Sequence, residues 1–144
     1  MTRQELLLAM LAAADGRPYS PVQIQKAMFL LEKHVPSLVD SGPSFSFAAY
    51  DYGPFDSAVY SEAENLKASG LAHIAPSDVG RWNTYSASDL GVEKGRKVLE
   101  RIPTASREYL VNVSAWVRAQ SFSSLVKSIY DFYPEMKVNS IFKG

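Results

Sequence analysis

Histidine, cysteine, serine and glycine patterns are the first places to look for chemistry in a new sequence, and here they indicate none. The two histidines, His34 and His73, are far apart and belong to no H-x-x-x-H or H-E-x-x-H pattern. Cysteine is absent, which removes thiolate metal ligands, disulfides and a cysteine nucleophile. No serine lies in a G-x-S-x-G elbow, and the glycines form no phosphate-binding pattern. We therefore predict a protein that is not an enzyme, with no catalytic residue, no metal site and no cofactor.

The stretch YDYGPFDSAVY, residues 50–60, places four aromatic side chains around one Gly-Pro pair. Tyrosine and phenylalanine bury large apolar areas, and the tyrosine hydroxyl stays available for hydrogen bonds, so such rings suit either a core corner or a partner-binding surface. We predict that one group of residues forms a structural turn whose rings fill a core corner: Tyr52, Gly53, Pro54 and Phe55. We predict that a second group forms a partly exposed, partner-binding patch: Tyr50, Tyr60, Tyr130 and Tyr133.

The totals describe an ordinary globular chain. It has 144 residues, 47% of them hydrophobic, and its 15 basic and 15 acidic residues cancel to zero net charge. This length predicts one domain, and no stretch approaches the roughly 20 apolar residues of a membrane span. Because the chain has no cysteine, we expect a cytoplasmic location. A chain with zero net charge also lacks the excess of basic residues that is typical of nucleic-acid-binding proteins.

Helix starts are well marked in the sequence. Residues 2–14 have helical apolar spacing, and Ser20, Pro21 and Gln23 are typical of a helix N-terminus with a capping box. Asp56 is predicted to cap a third helix that ends at Gly70. Three further helices are predicted at Asp89 to Ile102, roughly Thr104 to Ala119, and from Phe122 to Tyr133.

The strands are short. Alternating Phe45, Phe47 and Ala49 predict a half-buried strand, which Gly53-Pro54 should break because proline lacks the ladder donor. Residues 71–75 and 81–86 are predicted to form a β-hairpin around a turn-rich loop. The fold class expected is mainly α with a small β-hairpin (α+β).

The order helix, helix, strand, helix, hairpin, helix is typical of a winged-helix domain. We predict a single domain over 1–144, with a winged-helix-like core at 1–102 and a helical extension at 103–144. This order raises an alternative function, a DNA-binding transcription regulator, whose third helix would enter the major groove. That helix has Asp56, Glu62 and Glu64 against the single Lys67, which disfavours contact with phosphate.

Three segments carry a resemblance to a known family. They are PVQIQKAMFLLEK at 21–33, FSFAAYDYGPF continuing into DSAVYSEAENLKASGLAHI at 45–74, and FSSLVKSIYDFYPEMKVNS at 122–140. Together they resemble the Panacea domain family, which includes SocA-like antitoxin-associated domains and the YwgA-like proteins. The C-terminal Tyr-Pro-Glu element is similar to the YwgA-like branch.

The resemblance implies a non-catalytic domain of bacterial, phage or mobile-element toxin–antitoxin systems. Members neutralise unrelated toxins by binding them directly or by delivering them to a protease. We therefore predict a protein-binding module, antitoxin-like or adaptor-like, whose partner is a protein such as a toxin or a component of a protease system. Nucleic acid and membrane are not expected as partners, and a homo-oligomer stays open.

Overall fold

The computed structural model describes residues 1–144, which form six α-helices and two antiparallel two-stranded sheets. The helices are α1 (Arg3–Ala13), α2 (Pro21–His34), α3 (Ala58–Ala68), α4 (Asp89–Arg101), α5 (Thr104–Ala119) and α6 (Phe122–Phe132). The strands are β1 (Ala48–Tyr50), β2 (Gly53–Phe55), β3 (Ala72–Pro76) and β4 (Asn83–Ala87), and short 3-10 turns follow α2 and α6 at Pro36–Leu38 and Pro134–Lys137. The predicted α+β class is confirmed, whereas the winged-helix arrangement stays a prediction.

The predicted helix starts are confirmed by their caps. Ser20 Oγ accepts the Gln23 N–H at 3.2 Å, and Gln23 Oε1 accepts the Ser20 N–H at 2.9 Å, as a capping box requires. The N-cap of α3 is Ser57 and not the predicted Asp56, but the Asp56 carboxylate, one residue earlier, accepts the Ala58 N–H at 2.9 Å. Gly70, with φ of +77°, ends α3 as predicted.

The core is one cluster of 30 buried residues built around α1 and α2. Tyr19, in the loop between these helices, is fully buried, and its hydroxyl hydrogen-bonds both the Met10 carbonyl and Ser114 of α5. The cluster also includes residues of the predicted C-terminal extension: Leu110, Val113, Val117, Leu125 and Ile129. The boundary at 102/103 therefore crosses a shared core.

The segment that contains the Gly-Pro pair differs from its prediction. The predicted strand over Phe45 to Ala49 is not formed as predicted, because β1 begins only at Ala48. Gly53-Pro54 does not break the strand either, since the chain reverses at residues 51–52 and Gly53, Pro54 and Phe55 form β2, in register Tyr50↔Gly53. A two-stranded sheet consists only of edges, where proline needs no ladder donor.

The second hairpin is confirmed to within two residues. β3 and β4 pair from Ala72↔Ala87 to Pro76↔Asn83. The sequence did not indicate a further bridge, in which Tyr19 and Tyr85 exchange backbone hydrogen bonds of 2.8 and 2.9 Å. This bridge ties the α1–α2 loop to the hairpin.

Candidate binding site: the aromatic cleft

A cleft of about 700 Å³ opens between the first turns of α2, the β1–β2 hairpin and the start of α6. Ligand sites in proteins usually have volumes of roughly 300 to 1,000 Å³, and this cleft is within that range. Gln25, Lys26 and Asp51 contribute polar groups to its lining. We call it the aromatic cleft, because six aromatic side chains line it together with Lys26. The six are Tyr50, Tyr52, Phe55, Tyr60, Trp82 and Phe122.

One wall of the cleft is a continuous row of rings. Tyr85 stacks on Tyr60 with centroids 5.4 Å apart, Tyr60 meets Phe55 edge-to-face at 5.7 Å, and Phe55 stacks on Tyr50 at 5.3 Å. Tyr85 is buried, whereas Tyr50 is 56% exposed. The row therefore extends from the core to solvent, which fixes the inner rings and leaves the outermost free to meet a partner.

The opposite wall comes from distant parts of the chain. Tyr52, at the tip of the β1–β2 hairpin, packs edge-to-face on Phe122 of α6 at 5.0 Å. Phe122 in turn packs on Phe142 near the C-terminus at 6.1 Å. Tyr52 is 40% exposed, and Trp82 and Phe122 are each 44% exposed. Large exposed rings this close together are unusual on a monomer surface and are typical of binding sites.

The β1–β2 hairpin is held on two sides. The buried Gln25 amide bonds the Asp56 backbone twice, accepting its N–H at 3.0 Å and donating to its carbonyl oxygen at 2.9 Å. From the C-terminal segment, Asn139 donates to the Ala49 carbonyl at 3.1 Å, and the Ile141 N–H donates to the Asp51 carbonyl at 2.9 Å. These bonds hold the cleft walls in place before any ligand arrives.

Lys26 is a buried basic residue in the lining of the cleft. Its side chain is 3% exposed, and Nζ donates a hydrogen bond to the Pro54 carbonyl oxygen at 3.2 Å. No carboxylate forms an ion pair with it. Burial lowers the pKa of the Lys26 amine from 10.5 to about 7. The charged and neutral forms are therefore both populated near neutral pH.

The four tyrosines predicted to form one patch are divided between different environments. Tyr50 and the half-buried Tyr60 both line the aromatic cleft. Tyr130 is 6% exposed, so the prediction that it is partly exposed is wrong. Its ring lies against Gly53, and its hydroxyl hydrogen-bonds Ser140 Oγ at 2.7 Å. Tyr133 is half-buried in a separate groove.

This second groove, named the α5–α6 groove, has a volume of about 440 Å³. Tyr133 accepts or donates a hydrogen bond of 2.7 Å with His34 Nε2 and packs edge-to-face on Phe29 at 5.0 Å. Phe132 at its rim is 74% exposed. The groove is lined by Leu30, His34, Tyr109, Asn112, Val113, Trp116, Ile129, Phe132 and Tyr133.

The predicted structural turn is also corrected. Gly53 and Pro54 are buried, as a structural role requires, but Tyr52 does not fill a core corner because it occupies the exposed hairpin tip. Phe55 is half-buried between Tyr50 and Tyr60. Gly53 has φ of +103°, a conformation that favours glycine, and a Cβ there would be in tight contact with Tyr130 Cε1 at 3.3 Å.

Sequence reasoning missed Lys26, Trp82 and Phe122. Lys26 belongs in the folded protein to an unbroken run of eight buried residues in α2, from Ile24 to Leu31, which its charge does not predict. Lysine is almost never fully buried unless it is paired. Trp82 and Phe122 carried no local signal, because the loop before β4 and the start of α6 meet at the cleft only through tertiary structure.

Some charged residues of α3, the helix that would enter the major groove, and of α4 form ion pairs within the protein. Glu62 of α3 pairs with Arg3 at 2.8 Å. On α4, Arg96 pairs with Asp15 at 2.8 Å, and Arg101 pairs with Glu5. Lys67 of α3 and Lys94 and Lys97 of α4 form no ion pair, so the charges of these helices do not decide the question and DNA binding stays a prediction.

No three histidine, aspartate or glutamate side chains lie close enough together to hold a metal ion. None of the helices combines the length and apolar character needed to cross a membrane. A scan against protein-family models and a search of curated proteins each returned no match.

Proposed function

We propose that the protein is a non-catalytic binding module that takes a segment of a partner protein into the aromatic cleft. The observation that carries the proposal is the exposure of four large rings around one preorganised cavity. Binding hot spots are enriched in tyrosine and tryptophan, and rigid rings lose little entropy when a partner docks. We expect the partner segment to present an aromatic or aliphatic side chain to these rings.

The resemblance to Panacea domains supports an antitoxin-like or adaptor-like role, in which the partner is a toxin or a component of a protease system. A protein partner of this kind fits a cleft that is open to solvent on one side and closed by α2 on the other. The proposal includes a cytoplasmic location, where such partners are found.

The test begins with capture of a partner from the native host, followed by its purification and a measured Kd. Tyr50→Ala and Phe122→Ala should each weaken binding by about tenfold or more, as hot-spot truncations do. Both side chains are at least 44% exposed, so the melting temperature should change little. Phe132→Ala is the matched control, because Phe132 is an exposed ring outside the cleft.

The proposal fails if the purified partner binds the Tyr50 and Phe122 variants as tightly as it binds the natural protein. It also fails if the Phe132 variant is the one that loses binding, because the α5–α6 groove would then be the interface.

A further inference from the structure

Lys26 combines burial with an incomplete set of partners. A lysine ammonium has three N–H donors, and the protein supplies one acceptor, the Pro54 carbonyl oxygen. No carboxylate pairs with it, although the residue is almost fully buried, at 3% exposed. A buried charge without a counter-ion is costly in free energy, so proteins normally pair it or leave it neutral.

Gly53 lies close to the end of the Lys26 side chain. A Cβ at Gly53 would lie 3.6 Å from Lys26 Cε and 3.7 Å from Nζ, with Tyr130 Cε1 at 3.3 Å. Asp51 is the acidic side chain in the cleft lining, and it forms no ion pair with Lys26. The ammonium form therefore lacks an anion on the protein side, while its side chain lines an open cleft.

The first turn of α2 adds a second donor to the cleft. It lines the cleft, and the Val22 N–H in that turn makes no hydrogen bond within the protein. This helix end carries a partial positive charge. The Lys26 amine and this helix end therefore both favour a ligand that brings acceptors and negative charge.

We propose that the aromatic cleft is a carboxylate-binding site, in which the carboxylate pairs with Lys26 Nζ and the body of the ligand packs on the surrounding rings. The inference rests on the proposed function, so the carboxylate is that of an aspartate or glutamate beside an aromatic or aliphatic residue in the partner segment. A charge-assisted hydrogen bond in a site with little water is stronger than one between neutral groups. The same pairing completes the partner set of Lys26.

Two small probes of nearly equal shape test the inference: 3-phenylpropionate and its neutral amide, 3-phenylpropionamide. At near-neutral pH the carboxylate should bind at least about tenfold more tightly than the amide. In protein labelled with ¹³C at lysine Cε, the Lys26 resonance should titrate with a pKa higher by about one unit or more when the carboxylate is bound.

Lys26→Met should abolish the preference for the carboxylate while retaining the affinity for the amide. Lys33→Met is the matched control, because Lys33 lies on the same helix but is exposed, with its ammonium over the Tyr133 ring. Equal binding of acid and amide, an unchanged Lys26 titration, or no binding of either probe at about 10 mM overturns the inference.

Partner binding separates this inference from the proposed function. If a purified partner depends on Tyr50 but binds the Lys26→Met protein unchanged, the carboxylate inference is wrong and the binding module stands. If the probes show the carboxylate preference but no partner protein depends on the cleft, the assignment to a partner's acidic side chain is overturned together with the proposed function.

Discussion

The aromatic cleft and the α5–α6 groove lie at opposite ends of α2, and both are walled by aromatic rings. In the groove, His34 and Tyr133 satisfy each other through a 2.7 Å hydrogen bond. In the cleft, Lys26 has one backbone acceptor and no counter-ion. Exposed rings occur at both surfaces, with Phe132 at 74% and Tyr50 at 56%. The two surfaces therefore differ less in the exposure of their rings than in the pairing of their polar groups, and only the cleft contains a buried charge without a counter-ion.

Replacing the buried lysine should produce the largest effect on stability. A pKa lowered from 10.5 to about 7 corresponds to a folding penalty of up to about 5 kcal/mol for the charged form, at 1.36 kcal/mol per pKa unit. Lys26→Met removes this penalty and leaves the Pro54 carbonyl without its donor. We therefore expect the free energy of unfolding at pH 6 to rise by about 3 kcal/mol. Urea denaturation measures this change, and a destabilised variant at pH 6 would contradict it.

The buried Lys26 should also make the stability of the natural protein depend on pH. Between pH 7 and 10.5 the unfolded chain holds the Lys26 proton that the folded chain has lost, so the free energy of unfolding should rise with pH. Burial raises the pKa of Tyr19 and Tyr60 to about 12, which gives the opposite slope above about pH 10 because unfolded tyrosines ionise first. The rise should thus be visible between pH 7 and about 9.5 and should flatten in Lys26→Met.

Loss of the Gln25 amide should loosen the cleft and spare the groove. Gln25→Ala leaves the Asp56 N–H and carbonyl without partners, which should lower the free energy of unfolding by about 3 kcal/mol. Hydrogen exchange should increase at β2 and the start of α3 but not at the C-terminal end of α2. Uniform exchange across both regions would show that the hairpin is not an independent element of the cleft.

Gly53→Ala should cost about 2 kcal/mol of stability, because φ of +103° is unfavourable for alanine and the added methyl lies 3.3 Å from Tyr130 Cε1. Thermal denaturation measures the loss. Gly42→Ala is the control, since Gly42 also has positive φ, +74°, but a Cβ there meets nothing within 4 Å. Equal losses in the two variants would mean that the contact with Tyr130 contributes nothing.

The smallest effect on stability should come from a substitution in the α5–α6 groove. Tyr133→Phe removes the hydroxyl that bonds His34 and keeps the ring on Phe29, so the free energy of unfolding should fall by about 1 kcal/mol. Partner binding should not change. A partner that binds this variant more weakly would remove the distinction between the groove and the cleft.

Helices were the most predictable part of this fold. The capping box at Ser20 and Gln23 and the stop at Gly70 are local signals, since each acts within a few residues of the helix end. The β1–β2 hairpin was mispredicted because its strands have three residues each and one contains Pro54. Such strands persist only through outside partners, here Gln25 and the C-terminal segment.

Caps, apolar periodicity and turn residues were enough to predict the six helices and the second hairpin, and the sequence placed Tyr50 and Tyr60 near one turn. The folded structure was needed to find that Lys26 is buried, that Phe122 packs on Tyr52 across the cleft, and that Tyr130 is a core residue. The reason is physical: caps and apolar periodicity act over a few residues, whereas burial and charge pairing depend on segments about 100 residues apart in the chain.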